Sequence, residues 1–455
     1  MKVLKFGGTS VGTVDSLRNV KSIVDALDSP AIVVVSALGG LTDRLIATAN
    51  MAASGDVEFK SSMAQMRQRH LDIINTLVPD DRRPAVLEVV SSLLNNLEDL
   101  YTGLSLVRDL SERVLNQVVS FGERMSSVIV ANILNDAIHH NSLDFVKTEK
   151  WFNRDIASRQ LIDRLIKEEF PLPLSRTVVT GGFISTDKDT GEITNLGRGG
   201  SDYTAALIAA ALDADSLEIW TDVDGFMTAD PRIIKDARVI DNMTFIESME
   251  LCSFGAKVIY PPTIYPVFHK NIPIKILNTH NPSARGTFIT DSTDQLPDTV
   301  RGVSAVRKTA MISVTGSLVD NVAQINSRCY NAMARNGISI FLVAQPDKET
   351  TFSMTLACQN AEQAAKILRD EFAPELLTGE VKCVSVEENL AILAVVRESI
   401  KTIKGLGPRL VNTIQRAGIK VKAVSDGASE TTIAIIVAEA DVEQALRLVH
   451  TACFQ

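Results

Sequence analysis

The chain has 455 residues, 45% of them hydrophobic and 22% charged, with a formal net charge of −9. That length predicts two to four domains with a large core, and the composition is that of a globular protein, neither disordered nor membrane-embedded. The acidic balance weighs against nucleic acid as a partner, and no apolar run reaches the roughly 20 residues a membrane span needs.

The opening Met1-Lys2-Val3-Leu4-Lys5-Phe6-Gly7-Gly8 is too short and too soon broken for a signal peptide, so the expected compartment is the cytoplasm. Lys2 to Phe6 reads as a buried strand ending in Gly7-Gly8-Thr9-Ser10, with a helix from about Val14 to Leu27 behind it. Lys5 there could set an ammonium beside backbone N–H groups and two hydroxyls, the parts of a phosphate cradle, although the order is not that of a Walker A loop. Ala31 to Val35 is a second apolar strand, closed by Ser36-Ala37-Leu38-Gly39-Gly40. From about Thr42 to Asn141 the apolar spacing predicts a helical layer, within which Glu123 and Arg124 follow Gly122. Strands resume at Thr177 to Thr180 before Gly181-Gly182-Phe183, and a hairpin is expected from Thr186 to Thr194.

Leu196-Gly197-Arg198-Gly199-Gly200-Ser201-Asp202 then runs into the alanine-rich Tyr203 to Ala211, which predicts a helix starting at a glycine turn. Such a start gathers unpaired N–H groups and the positive end of a helix dipole, suiting an anion. Arg198 adds a guanidinium fork, and Asp202 could cap the helix or align a cationic group. Ser216 to Thr221 reads as a strand ending in Asp222-Val223-Asp224-Gly225, followed by Thr228-Ala229-Asp230-Pro231-Arg232. Phe254-Gly255-Ala256-Lys257 and a short strand at Lys275 to Leu277 come next. Alternating strands and helices predict a mainly parallel sheet covered on both faces, with ligands at the carboxyl ends of the strands.

Pro297 and the polar stretch from Asp291 to Arg301 mark a boundary, and beyond it lies a repeat. Asn336-Gly337-Ile338 recurs as Ala417-Gly418-Ile419, Glu349-Thr350-Thr351 as Glu430-Thr431-Thr432, and Glu362-Gln363-Ala364 as Glu443-Gln444-Ala445. The offset is constant: 418−337, 430−349 and 443−362 are each 81. Each copy reads as a ferredoxin-like α+β module with a regulatory or oligomerising role. The five cysteines, Cys252, Cys329, Cys358, Cys383 and Cys453, form no CxxC pair; no protein metal site is expected, and they read as small buried apolar residues.

None of the six histidines falls in these turns, so the chemistry expected is one whose nucleophile arrives ionised. Phosphoryl transfer to a carboxylate fits, because it needs positioning and charge neutralisation more than a base. Lys5-Phe6-Gly7-Gly8-Thr9-Ser10, Ser36-Ala37 with Thr42-Asp43, Phe121-Gly122-Glu123, Gly197 to Asp202, Thr221 to Gly225 and Gly255-Ala256-Lys257-Val258 resemble, in order, the signature run of aspartate kinases. The paired repeat resembles that family's ACT domains, and the nearest likeness is to the kinase portion of bifunctional aspartate kinase–homoserine dehydrogenases. The resemblance implies an α/β kinase domain of the amino-acid kinase fold, with a three-layer mainly parallel sheet, over 1–290. Two ferredoxin-like α+β ACT modules would follow over 300–380 and 381–455. It implies ATP-dependent phosphorylation of the side-chain carboxylate of L-aspartate to 4-phospho-L-aspartate, the first step toward lysine, threonine and methionine, with ATP and Mg²⁺ as cofactors. Alternatives are a glutamate or N-acetylglutamate kinase of the same fold, or a non-catalytic amino-acid sensor.

By the same resemblance, Lys5 and Lys257 hold the transferring phosphate and Gly7, Gly8 and Ser10 line its cradle. Asp202 organises the phosphate-binding lysine. Arg198 binds the aspartate carboxylate and Glu123 its amino group, with Ser36, Thr42, Phe183, Gly199 and Ser201 around them. Thr221, Asp222, Met227, Asp230 and Arg232 border the nucleotide, Met227 standing where the family commonly has tyrosine. An amino-acid effector, threonine or lysine, is expected at Gln345; the matching position one repeat on is Asp426, a departure that bears on the second effector contact. A homodimer or homotetramer through the ACT modules is implied. The chain ends at Gln455, where the dehydrogenase would begin, and either a single-function enzyme or a fragment is consistent with that.

Overall fold

A computed structural model describes residues 1–151, 154–291, 299–316, 322–344, 351–426 and 429–454. The chain divides into two compact units. The first holds Met1–Phe226, Val239–Phe245 and Val258–Thr293; the second holds Met227–Arg238, Ile246–Lys257 and Asp294–Gln455.

The first unit is built on an eight-stranded sheet. Its order is Asn242–Thr244, Thr287–Thr290, Ile274–Asn278, Ser216–Thr221, Lys2–Phe6, Ile32–Val35, Thr177–Gly181 and Ala137–His139. Every pairing is parallel except that of Ile274–Asn278 with Thr287–Thr290. The central Ile32–Val35 strand is fully buried, as a run of β-branched residues covered on both faces should be. The expected helical layer is four helices, Leu41–Ser54, Phe59–Leu77, Arg83–Val107 and Glu112–Ile133. Val86, Val90, Leu94, Leu97, Tyr101 and Leu104 form the buried stripe of the third. The helical reading overran at its end: Ala137–His139 is an edge strand, because its partner, Thr177–Gly181, lies too far along the chain to register in local periodicity. The hairpin expected near Thr186 to Thr194 is Ile184–Asp187 with Ile193–Asn195, inside a small sheet that also holds Lys147–Trp151 and Arg154–Ala157.

In the second unit the two repeat copies share one six-stranded antiparallel sheet, ordered Leu342–Ala344, Thr351–Ala357, Gly302–Gly316, Val381–Val396, Thr432–Ala438, Ala423–Ser425. The long Gly302–Gly316 and Val381–Val396 strands join the copies, each copy covered by two helices. Ala229 and Ile234 join the core of the second copy, beside Leu393, Leu410 and Val449. The cysteines depart from expectation. Only Cys329 is fully buried, and Cys383 is exposed, next to a register shift in the ladder. No described helix is long and apolar enough to cross a membrane.

Candidate functional site

At the carboxyl ends of the first unit's strands lies a cleft of about 370 Å³, lined by residues of five chain segments. Lys5 and Gly8 come from the first strand and its turn, Ser36 to Gly40 with Thr42 and Asp43 from the second strand and the helix after it. Glu123 and Phe183 reach it from the Glu112–Ile133 helix and the turn after Thr177–Gly181; Gly197 to Asp202 complete the wall. A volume of this size accommodates a small molecule.

The glycine turn delivers a helix, Gly200–Ala211, as its composition predicts. Gly199 at its N-cap has φ +70° and makes no side-chain cap; a Cβ there would meet Tyr260 Cβ at 2.3 Å, so only glycine fits both the dihedral and the space. The two readings of Asp202 are thereby separated. It does not cap the helix; its Oδ1 lies 2.5 Å from Lys5 Nζ, with both side chains nearly buried. This pair places a cation and its counter-charge in the cleft lining, beside the positive pole of the helix.

Glu123 is the opposite case. Its side chain is 3% exposed, Oε1 accepts the Ala37 N–H at 3.1 Å, and Oε2 is buried with no partner. Burial pushes its carboxyl up to about 8, the Ala37 bond offsetting only part of that. Ser126, one turn on, donates to Ser36 O at 2.8 Å and ties the second strand's turn to the same helix. Arg198 is exposed at the mouth. No histidine is among the residues that line the cleft.

The structure therefore brings together Lys5, Gly8, Ser36, Thr42, Glu123, Phe183, Arg198, Gly199, Ser201 and Asp202. Ser10 stands apart: its hydroxyl is engaged inside the protein by Thr279 Oγ1 at 2.7 Å and Trp220 O at 3.3 Å. Gly7 donates its N–H to Trp220 O. Thr221 and Asp222 sit at the end of the neighbouring strand, joined by a 3.2 Å hydrogen bond. Met227, Asp230, Arg232 and Lys257 belong to the second unit, where Arg232 grips both oxygens of Asp230 and holds that carboxyl below its ordinary range. Asp43 lines the cleft but was not singled out as a site residue; its place two residues behind Leu41, in the first turn of a helix entered through a glycine, was the available signal.

Gln345 lies outside the described residues. Asp426 is exposed, with its carboxylate against Gly407 in the first turn of the Leu406–Arg416 helix; a Cβ on Gly407 would fall 1.8 Å from Asp426 Oδ2. Among the described residues no group of three or more acidic, histidine or cysteine side chains could hold a metal.

The sequence profile of the Amino acid kinase family matches residues 1–278, and that of the ACT domain matches 312–372 and 393–453. A bifunctional aspartokinase/homoserine dehydrogenase of Haemophilus influenzae is 31% identical over the whole of this chain, which spans 56% of that relative's length. The structure is similar to that of Escherichia coli aspartokinase III in complex with aspartate and ADP, with TM-score 0.85, 28% identity and full coverage of both chains. It is also similar to the same enzyme in complex with lysine and aspartate, with TM-score 0.76, 28% identity and full coverage of both. With more than half its length matched by the kinase profile, the chain belongs to the amino acid kinase family and carries two ACT domains behind its kinase region.

Proposed function

We propose that the chain is an aspartate kinase, transferring the γ-phosphoryl group of Mg-ATP to the side-chain carboxylate of L-aspartate. The observation that carries this reading is the cleft itself, whose lining holds an ion-paired lysine, an exposed guanidinium and a buried carboxyl with an unpartnered oxygen. A carboxylate acceptor is already an anion at neutral pH, so the absence of histidine from the lining removes nothing the reaction needs. The acceptor oxygen attacks the γ-phosphorus as the bond to the ADP oxygen breaks, giving an acyl phosphate and ADP.

Each charged group then has one task. Lys5, held by Asp202, neutralises charge on the transferring phosphoryl group; Arg198 clamps the acceptor carboxylate; Glu123 takes the ammonium. Ser36, Thr42, Phe183, Gly199 and Ser201 shape the acceptor pocket, and Gly7, Gly8 and Ser10 the phosphate turn. Lys257, Thr221, Asp222, Met227, Asp230 and Arg232 keep the phosphate and nucleotide assignments that the family motifs give them, and Mg²⁺ enters with ATP as the substrate complex. The catalytic domain is assigned to 1–290 and the ACT modules to 300–380 and 381–455, as an effector-binding region that also joins protomers. Lysine or threonine is the effector class, since aspartokinase III has been crystallised with lysine. ATP and free amino acids are cytoplasmic solutes, which makes the cytoplasm the proposed site of reaction.

The test is direct. The chain is incubated with Mg-ATP and single amino acids, and hydroxylamine is added to trap an acyl phosphate. Hydroxamate from aspartate is expected; hydroxamate from glutamate or N-acetylglutamate instead would replace the substrate, and none from any acceptor would sink the activity.

A further inference from the structure

We propose that Glu123 selects acceptors by the charge on their α-nitrogen: neutral in the unliganded protein, it surrenders its proton when an ammonium docks, so acceptor binding releases a proton. The inference rests on reading the cleft as an amino-acid acceptor site.

Its geometry is that of a carboxyl prepared for one more partner. Oε1 is satisfied by the Ala37 N–H, whereas Oε2 is buried and unpartnered, on a residue that lines the cleft. An isolated buried carboxylate is costly, so the group stays protonated until a positive charge arrives. The cleft's other charged groups do not supply that charge. Lys5 is committed to Asp202 at 2.5 Å, Arg198 is exposed at the mouth, and Asp43 is itself acidic.

The elements packed on the Glu112–Ile133 helix are equally silent. Strands Ile32–Val35, Thr177–Gly181 and Ile193–Asn195 contain no titratable side chain. Ala137–His139 brings His139, which bonds Ser127 Oγ. Helix Leu41–Ser54 carries Arg44 besides Asp43, and helix Arg83–Val107 carries Arg83, Glu88, Glu98, Asp99 and Tyr101, whose hydroxyl donates to Leu45 O. Arg124, next in sequence, lies over the Phe121 ring. Among the described residues no cation bonds either oxygen of Glu123.

A docked ammonium stabilises the charged carboxylate by attraction and a charge-assisted hydrogen bond in a water-poor site. The ligand keeps its three N–H bonds, Glu123 loses its O–H bond, and the proton leaves to buffer. An N-acylated acceptor offers an uncharged amide in the same place and leaves that proton where it is.

Calorimetry of the full chain with L-aspartate, in phosphate and in Tris, measures the protons exchanged from the difference in observed heat. With the carboxyl near 8, roughly nine-tenths of a proton should leave per aspartate at pH 7 and almost none at pH 9, where Glu123 is already ionised. N-acetyl-L-aspartate should bind about 100-fold more weakly and release none. Glu123→Gln, verified as folded by circular dichroism, should lose the release along with aspartate affinity. Equal heats in the two buffers at pH 7, or undiminished release in Glu123→Gln, would overturn the proposal; the wild-type comparison decides it even if the variant misfolds. If aspartate yields hydroxamate but releases no proton on binding, this inference fails alone, whereas no binding and no hydroxamate would remove the kinase reading with it.

Discussion

Glu123 in the first unit and Glu247 in the second are both almost completely buried, and the two are treated in opposite ways. Glu247, 1% exposed, is fully answered: Arg301 Nε lies 3.2 Å from both its oxygens, and Oε1 also accepts the Glu398 N–H at 3.0 Å. Glu123, 3% exposed, has one hydrogen bond and one orphaned oxygen. A buried charge whose partners are all inside the protein is architecture. One with a missing partner, on a residue that lines a cleft, marks the place of a ligand. The same residue type thus closes a structure in one unit and leaves it open in the other.

The contrast breaks most sharply at Glu247. Replacing it by Ala leaves Arg301, 8% exposed, as an uncompensated buried cation, for which a loss of about 3–5 kcal/mol in denaturant unfolding is expected. Replacing both partners by apolar residues of similar volume should recover most of that loss. If Glu247→Ala melts like the wild type, the pair is not structural.

Next in size is Glu123→Gln, which retains the shape and removes the charge. It should lower kcat/KM for aspartate about 100-fold, or roughly 2.7 kcal/mol of transition-state binding, without destabilising the fold. Its effect on stability has a defined sign. The native carboxyl titrates near 8 against 4.5 in its ordinary state, so between those values the folded chain holds a proton that the unfolded chain has lost. Wild-type stability should therefore fall as pH rises from about 4.5 to about 8 and level off above. The variant should lack that slope, and parallel pH-stability curves for the two would contradict the burial argument.

Arg198→Ala should raise KM for aspartate by roughly ten- to a hundredfold, the value of a charge-assisted clamp, and leave KM for ATP nearly unchanged. Equal rises in both constants would move Arg198 from the acceptor end to the phosphate end of the cleft.

Much of this was legible in sequence because it is local. The three strand-to-glycine turns, the alanine helix behind Gly200 and the repeat at 81 residues follow from side-chain type and spacing, and so did the gathering of Lys5, Ser36, Arg198 and Asp202 once the turns were placed at the carboxyl ends of the strands, whereas Glu123 came only with the family resemblance. What escaped depends on long-range contacts. The Ala137–His139 edge strand needs its distant partner, and the turning of Ser10 toward Thr279 depends on a residue 269 positions away. The passage of Ile246–Lys257 into the second unit has no local signature either, because it is fixed by contacts such as Glu247 with Arg301. Asp202 shows the boundary well: its place in a helix's first turn was readable, but the choice between capping and pairing with Lys5 was made by the strand beside it.

The smallest effect tests how far the closed character of Glu247 extends along its helix. Glu250, one turn on, is only half-buried, and its Oε2 accepts the Thr432 hydroxyl at 2.6 Å. Because solvent can reach this carboxylate, losing the hydroxyl should cost only the net value of one hydrogen bond, about 1 kcal/mol, when Thr432 becomes Val. The isosteric methyl keeps the packing of the strand, so denaturant unfolding reads the bond and little else. A loss near that of Glu247→Ala would mean that Glu250 is as closed to water as Glu247 and that the whole helix face acts as one buried ionic latch. No loss would confine the internally satisfied charge to Glu247 and Arg301 alone.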